Sequence, residues 1–220
     1  MTWDWSYVLK ILPDMLVGVW YTVLVTFVSS AIALTGGLLL AILENTSTRL
    51  GRAFVRFLLE LFRGVPILVL LYFGFYVLPQ TGVIIPAMAI GIAVLGTVYA
   101  AFCSEVYRGS LITIPAGLRD ACVALNLSPY VTWRRVLVPL MIQRAAPALL
   151  NYVLVLFRQS SLLFAIGVPV LLGKAQVAGY ESFRYVEPFT VAGVLYLGMN
   201  LPFLYILSRL KAKHAEQYGA

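Results

Sequence analysis

The sequence predicts an all-α integral membrane protein with about five transmembrane helices. Three observations carry that reading. The chain has 220 residues, 61% of them hydrophobic and only 11% charged, with a mean hydropathy of +0.92. A soluble domain carries roughly 25% charged residues, so a soluble globular domain is excluded. Long apolar runs recur along the chain, and a helix needs about 20 such residues to cross a bilayer. Finally, the basic residues between the runs concentrate in alternate gaps.

The formal net charge of +7 fits that alternation better than it fits a nucleic-acid partner, and none is expected. Cys103 and Cys122 have neither metal-ligand nor disulfide-framework spacing and read as small packing residues. His214, the only histidine, falls in a polar tail. Metal catalysis and a Ser-His-Asp triad are therefore poorly supported, and neither a catalytic residue nor a metal site is expected. The start, MTWDWSYVLKILPDM, contains acidic residues and lacks a basic n-region, so no cleavable signal peptide is expected.

Residues 1–14 form a polar and aromatic segment, with Trp3, Trp5 and Tyr7 suited to a membrane interface. The transmembrane domain then occupies 15–210. From Met15 to Leu43 no residue is charged, which is ample for one span. Gly36 and Gly37 within it either allow close helix approach or are merely tolerated there. Glu44 to Arg56 reads as a short loop leading into an amphipathic stretch. A second span is expected from about Phe57 to Leu78, with Glu60, Arg63, Gly64 and Pro66 in its first turns. Arg56–Glu60 and Glu60–Arg63 have helical i, i+4 and i, i+3 spacings, so local charge pairs are the simplest role, alongside a gating or structural one.

A third span runs from about Ile85 to Ser104 and ends at Glu105 and Arg108. A fourth apolar segment covers about Ala145 to Leu172, followed by a polar stretch from Gly173 to Glu187. The fifth span, about Pro188 to Ser208, contains Pro202 and leads to a basic tail at 211–220. Alternate sides then receive unequal charge. One collects Arg49, Arg52, Arg56, Arg63, Arg108, Arg119, Arg134, Arg135, Arg144, Arg209, Lys211 and Lys213; the other receives Lys10, Lys174 and Arg184. The positive-inside rule puts the N-terminus outside, and the central loop and C-terminus in the cytoplasm.

That central loop, about 109–135, is the longest charged interval. Leu118, Ala121, Cys122 and Leu125 recur at i, i+3, i+4 and i+7, giving a short helix over Leu118–Leu127 one apolar face. Ser128-Pro129 reads as an N-cap followed by proline at the first helical position, so a second helix begins at about Pro129. A short helix, a turn and a second helix between membrane spans describe a docking element.

These residues resemble the EAA loop of ABC-transporter permeases. Asp120-Ala121-Cys122 stands for EAA, and Asn126 for the glycine; Leu127 and Ser128 follow, with Val138-Pro139 at the LP position. Aspartate keeps the charge on a shorter arm, and asparagine is the next-best residue to glycine for a left-handed backbone. ELFRGVP, around Glu60 to Pro66, is similar to ELFRGTP of polar-amino-acid permeases. FRQSSL with Phe164 to Leu172 (FAIGVPVLL) is similar to their LKDTSL and IGVPELL.

The resemblance spans nearly the whole chain, from Gly18 to the basic C-terminus. It implies the type I fold of a bacterial ABC importer permease of the histidine, glutamine, arginine and opine group, in the cell membrane. Gly117, Leu118, Asp120, Ala121, Cys122, Leu125, Asn126, Leu127 and Ser128 would then form the coupling helix. It also implies two ATPase subunits that bind ATP and magnesium, a second permease copy or a similar permease, and an extracytoplasmic binding protein. This chain has no GxxxxGK[ST] phosphate loop and is expected to hold no cofactor itself. A passive channel or structural membrane subunit would need no such docking loop.

Arg158 is the basic residue left inside a span, roughly 20 Å into the fourth segment at 1.5 Å per residue. A charge there costs a few kcal/mol unless it is paired or hydrated. Two readings follow. Arg158 pairs with Glu105 or Glu60, or it lines a substrate path with Gln159, Ser160, Ser161 and Glu105 and meets a substrate carboxylate. Gln159 and Val170 stand where the family commonly has acids, which favours a less basic or zwitterionic substrate.

Overall fold

The computed structural model describes residues 3–218, with side chains through residue 212, so the side chains of Lys213 and His214 lie outside the described residues. The described chain is helical almost throughout. α1 is Trp5–Thr46, α2 Arg49–Gly64, and α3 Ile67–Tyr72, which continues through a π-helical stretch, Phe73–Val77, and a 3-10 turn, Leu78–Thr81. α4 is Ala87–Ile112 and α5 is Ala116–Ala124. α6, Pro129–Val131, runs through a π-helical Thr132–Leu137 into α7, Val138–Gln159, and a 3-10 segment, Ser160–Ile166. α8 is Leu171–Ser182 and α9 is Val186–Tyr218.

Among the described residues, four helical stretches are long and apolar enough to cross a membrane: Trp5–Thr46, Ala87–Ile112, Pro129–Ile166 and Val186–Ala212. The second expected span, Phe57 to Leu78, is not one straight helix. Arg49–Gly64 and Ile67–Thr81 meet at 97°. Val65 is extended (φ −94°, ψ 131°) because Pro66 disfavours the helical region in the residue before it, and Pro66 then opens α3.

α1 begins well before the apolar run at Met15. Asp4 is its N-cap, its carboxylate accepting from the backbone N–H groups of Ser6 and Tyr7, so residues expected to be a polar interfacial segment join the helix. The fourth expected segment is displaced too. Its helix ends at Gly167, whose φ of +80° suits a residue without Cβ. The polar stretch from Gly173 folds as α8, which is anchored to α1 where the Leu171 N–H donates to Thr22 Oγ1 at 3.0 Å.

α1 and α4 form the tightest seam, and they run parallel. Ser29 Oγ donates to the Ile92 carbonyl, and Ile32 lies on Gly96. At Gly37 an added Cβ would stand 2.7 Å from Cys103 Cβ and 2.9 Å from the Ala100 carbonyl. The glycine pair in α1 thus serves close helix approach, the means by which membrane helices gain packing without a hydrophobic drive. α7 completes the core with Met141, Ala145, Leu149 and Leu156, and Leu163 of the 3-10 segment reaches Gly91 of α4.

The two ends of the bundle differ. At the Trp5 end, Arg184 Nη1 meets Asp4 Oδ2 at 2.9 Å, and Tyr7 Oη donates to Ser182 Oγ at 2.7 Å. The opposite end gathers the end of α1, α2, the end of α4, α5 and α6, and is the basic one.

Candidate functional site: a coupling helix and a polar groove

The first candidate site is built around α5. Pro115 precedes it, and Leu125, Asn126 and Leu127 end it. The Leu127 N–H donates to the Cys122 carbonyl (3.1 Å) and the Asn126 N–H to the Val123 carbonyl (2.9 Å). This is the Schellman pattern, in which a left-handed residue closes a helix by satisfying its last carbonyls. Asn126 is that residue, with φ +50°. Ser128 then caps α6, its Oγ accepting from the Val131 N–H at 3.4 Å. The turn between the two helices is thus fixed by local chemistry.

Arg119 ties this unit to the bundle, and Arg144 of α7 holds the end of α4 that leads into it. Arg119 Nη2 donates to the Leu111 carbonyl at 3.0 Å, and Arg144 Nη1 to the Thr113 carbonyl at 2.7 Å. Both carbonyls lie at the C-terminal end of α4, where helix carbonyls lack partners and cations are favoured. The apolar face of α5 does not turn inward as a whole. Cys122 is buried, whereas Leu118 and Ala121 are exposed, and Val123 and Leu125 are 77% and 72% exposed. Asp120 and Gly117 are also exposed, and an added Cβ at Gly117 would meet nothing. A short helix stapled at both ends presents apolar side chains and one carboxylate outward.

The second candidate site is a groove of about 390 Å³ between α7 and α9. Arg158 and Ser161 line it from one side, with Tyr196 and Asn200 from the other, and Phe157, Leu172 and Leu197 as its apolar walls. Arg158 and Ser161 share a face because the helix tightens to 3-10 at Ser160, where side chains three apart eclipse. The same geometry turns Ser160 away: it is fully buried, and its Oγ donates to the Phe157 carbonyl. Gln159 is half-buried and outside the lining. Asn200 Oδ1 is buried without a hydrogen-bond partner among the described residues.

Glu105 is elsewhere. Its Oε2 accepts from Arg108, and its Oε1 lies 3.6 Å from Arg63 Nη1; Arg63 Nη2 also pairs with Glu60 Oε1 at 2.6 Å. Both carboxylates expected as partners of Arg158 are therefore held by other arginines. This cluster joins α2 to α4 beside the Gly64–Pro66 bend, and Gly64 itself is exposed in open space. The sequence reading passed over Tyr196 and Asn200. Two polar groups at i, i+4 in an otherwise apolar span were the available signal.

Residues 33–213 match the model of a protein family described as binding-protein-dependent transport system inner membrane component. A probable amino-acid ABC transporter permease protein, y4tG of Sinorhizobium fredii, is 33% identical over 205 residues, covering 91% of this chain and 89% of that protein. The glutamine transport system permease protein GlnP of Escherichia coli is 29% identical, covering 97% of this chain and 98% of its own. Among solved structures, an amino acid ABC transporter crystallised with histidines superposes with a TM-score of 0.88 at 28% identity, covering 97% of this chain and 100% of that one. The inward-facing MetNI methionine transporter shares the fold, with a TM-score of 0.78 at 23% identity over 92% of this chain and 97% of its own. The match runs from within α1 into α9, and the chain belongs to the family of binding-protein-dependent transport system inner membrane components, as a multi-pass permease subunit of the ABC importer kind.

Proposed function

We propose that this permease carries a polar amino acid or a similar small zwitterion, delivered by an extracytoplasmic binding protein, through a path that includes the α7–α9 groove. The groove has the right complement of groups. Arg158 is a donor suited to a carboxylate, and Asn200 Oδ1 is an acceptor suited to an ammonium, while the Ser161 hydroxyl already donates to the Arg158 carbonyl. Phe157, Leu172 and Leu197 give the groove apolar walls, and it opens outward at the exposed Arg158. Energy comes from outside the chain. Two ATPase subunits, binding ATP and magnesium, would receive α5 in a cleft. A second permease copy or a similar permease would complete the membrane pair. The N-terminus would lie outside, with α5 and the C-terminus in the cytoplasm, as the basic end of the bundle supports.

The observation that carries the reading is α5 itself. Its Leu118, Val123 and Leu125 are exposed, and the bond from Arg119 joins it to α4. Closure of the ATPases would push α5, and α4 would carry that displacement along the α1 seam. The test is a pull-down in mild detergent, comparing wild type with a chain carrying Asp120→Arg and Leu125→Arg. An ATPase recovered with wild type and lost with the inserted variant supports the docking reading. Failure of wild type to recover any ATPase removes the engine and favours a channel or structural membrane subunit.

A further inference from the structure

α2 is the element the transport reading leaves unused. It has 16 residues, about 24 Å at 1.5 Å per residue. It begins beside the last turn of α1, where Arg56 Nε meets Glu44 Oε1 at 2.6 Å. It ends at Arg63, on Glu105. Glu105 lies only about 10 Å from the end of α4 at Ile112, by the same rise per residue. A 24 Å helix that climbs about 10 Å lies obliquely across the basic end, within the depth of a membrane interface rather than through the bilayer.

The faces of α2 are sharply unequal. Leu59 is buried at 2% exposure and points into the bundle. On the opposite side Leu50, Phe54, Phe57 and Leu61, at i, i+4, i+7 and i+11, are 83%, 62%, 65% and 48% exposed. Arg49 and Arg56 occupy the shoulder beside this stripe, both exposed. Among the described residues, the acid beside that half of the helix is Glu44, which is buried and already held by Arg56. Arg49 has no hydrogen bond or ion pair among the described residues. An apolar stripe with a basic shoulder complements acyl chains below a layer of negative headgroups, and such helices lie in the interface plane.

We infer that α2 is an interfacial anchor, its Leu50–Phe54–Phe57–Leu61 stripe embedded in the acyl boundary and its arginine shoulder bound to the phosphates of anionic phospholipid. A second copy of this chain is a poorer occupant, because the end of the bundle at this depth is itself basic.

The experiment uses the whole chain in nanodiscs of phosphatidylcholine with phosphatidylglycerol. A nitroxide is placed at Phe57→Cys, on a background of Cys103→Ala and Cys122→Ala. The label should favour oxygen over an aqueous nickel chelate, at a depth of about 5–10 Å below the headgroups. In parallel, acidic lipid co-purifying with wild type should exceed that with Arg49→Gln by about fivefold, the worth of one arginine at an anionic surface. Access of the nickel chelate to the label overturns the inference. Dipolar broadening between labels overturns it in favour of a second copy, and an Arg49→Gln chain that keeps its acidic lipid removes the headgroup contact.

Discussion

The α1–α4 seam and the α7–α9 groove are both helix pairs in the same bundle, and they are built on opposite rules. Along the seam, small residues let two backbones nearly touch, and the hydroxyl of Ser29 bonds across to Ile92. Between α7 and α9, large rings hold the helices apart: Phe157 contacts Tyr196 and Phe203, and polar groups line the space left over. Close packing resists deformation, whereas a pair with a gap has a second arrangement available to it. The seam is the stiff pair of the bundle, and the groove the pliable one.

The sharpest way to break that contrast is at Gly37. A valine there meets the Ala100 carbonyl and the Ser104 N–H, both backbone, so no side chain can swing aside. Overpacking of this kind costs about 1–3 kcal/mol, and the upper end applies here. Thermal unfolding in detergent should fall accordingly for Gly37→Val. Gly36→Ala, whose nearest neighbour is Ala100 Cβ at 3.3 Å, should lose far less. Equal losses would mean that the seam is not the rigid partner.

The groove should behave in the reverse way, tolerating change in stability while losing transport. A charge-assisted hydrogen bond contributes about 1.5–3 kcal/mol, so Arg158→Gln should lower uptake at least about tenfold with insertion and unfolding temperature unchanged. Asn200→Leu should act in the same direction, more weakly. Competition uptake assays on cells expressing these variants measure both. If Arg158→Gln instead unfolds the chain at full specific uptake, the arginine is structural and the groove is not the path.

The same contrast explains what could be read from the sequence. α5 and its turn are local. Asn126 carries its left-handed φ in its own chemistry, and Ser128-Pro129 announces the next helix, so a few neighbouring residues suffice. The groove is assembled from α7 and α9, far apart in sequence, and its membership depends on the turn to 3-10 at Ser160. Nothing local in FRQSSL says that Ser161 faces Arg158 while Ser160 faces the core. For Arg158 the sequence offers Glu105 or Glu60 as partners, and neither lies near it in the fold. Three-dimensional proximity gave Glu105 to Arg63 and Arg108 instead. α8 is not legible in the polar stretch from Gly173, because what holds it is remote: Leu171 and Ala175 pack with Ile11 and Met15 of α1 and Ala192 of α9. The break at Val65 was written in the proline that follows it, but the apolar run of Phe57 to Leu78 outweighed it.

A smaller effect tests how the groove side is fastened to α1. Asp4 accepts from Ser6 Oγ at 2.6 Å, from Arg184 Nη1 at 2.9 Å and from the Tyr7 N–H, and Arg184 lies in the turn between α8 and α9. These bonds, the Ser6 one foremost, hold the Asp4 carboxyl well below the usual carboxylate range. A carboxyl depressed in the folded state stabilises fully above its unfolded pKa of about 3.9 and loses that contribution as pH falls toward its folded value. Asp4→Asn retains an N-cap, since asparagine caps as well as aspartate, and removes the charge together with the oxygen that accepts from Arg184. The unfolding temperatures of wild type and Asp4→Asn should therefore differ by a constant amount from pH 7 to about pH 5 and converge below about pH 4. A gap that persists unchanged at pH 3 would show that the ion pair to Arg184 contributes nothing. The α8–α9 turn would then be held to α1 through Tyr7, whose hydroxyl bonds Ser182 and whose ring lies under Arg184, leaving the groove side freer at that end than the clasp implies.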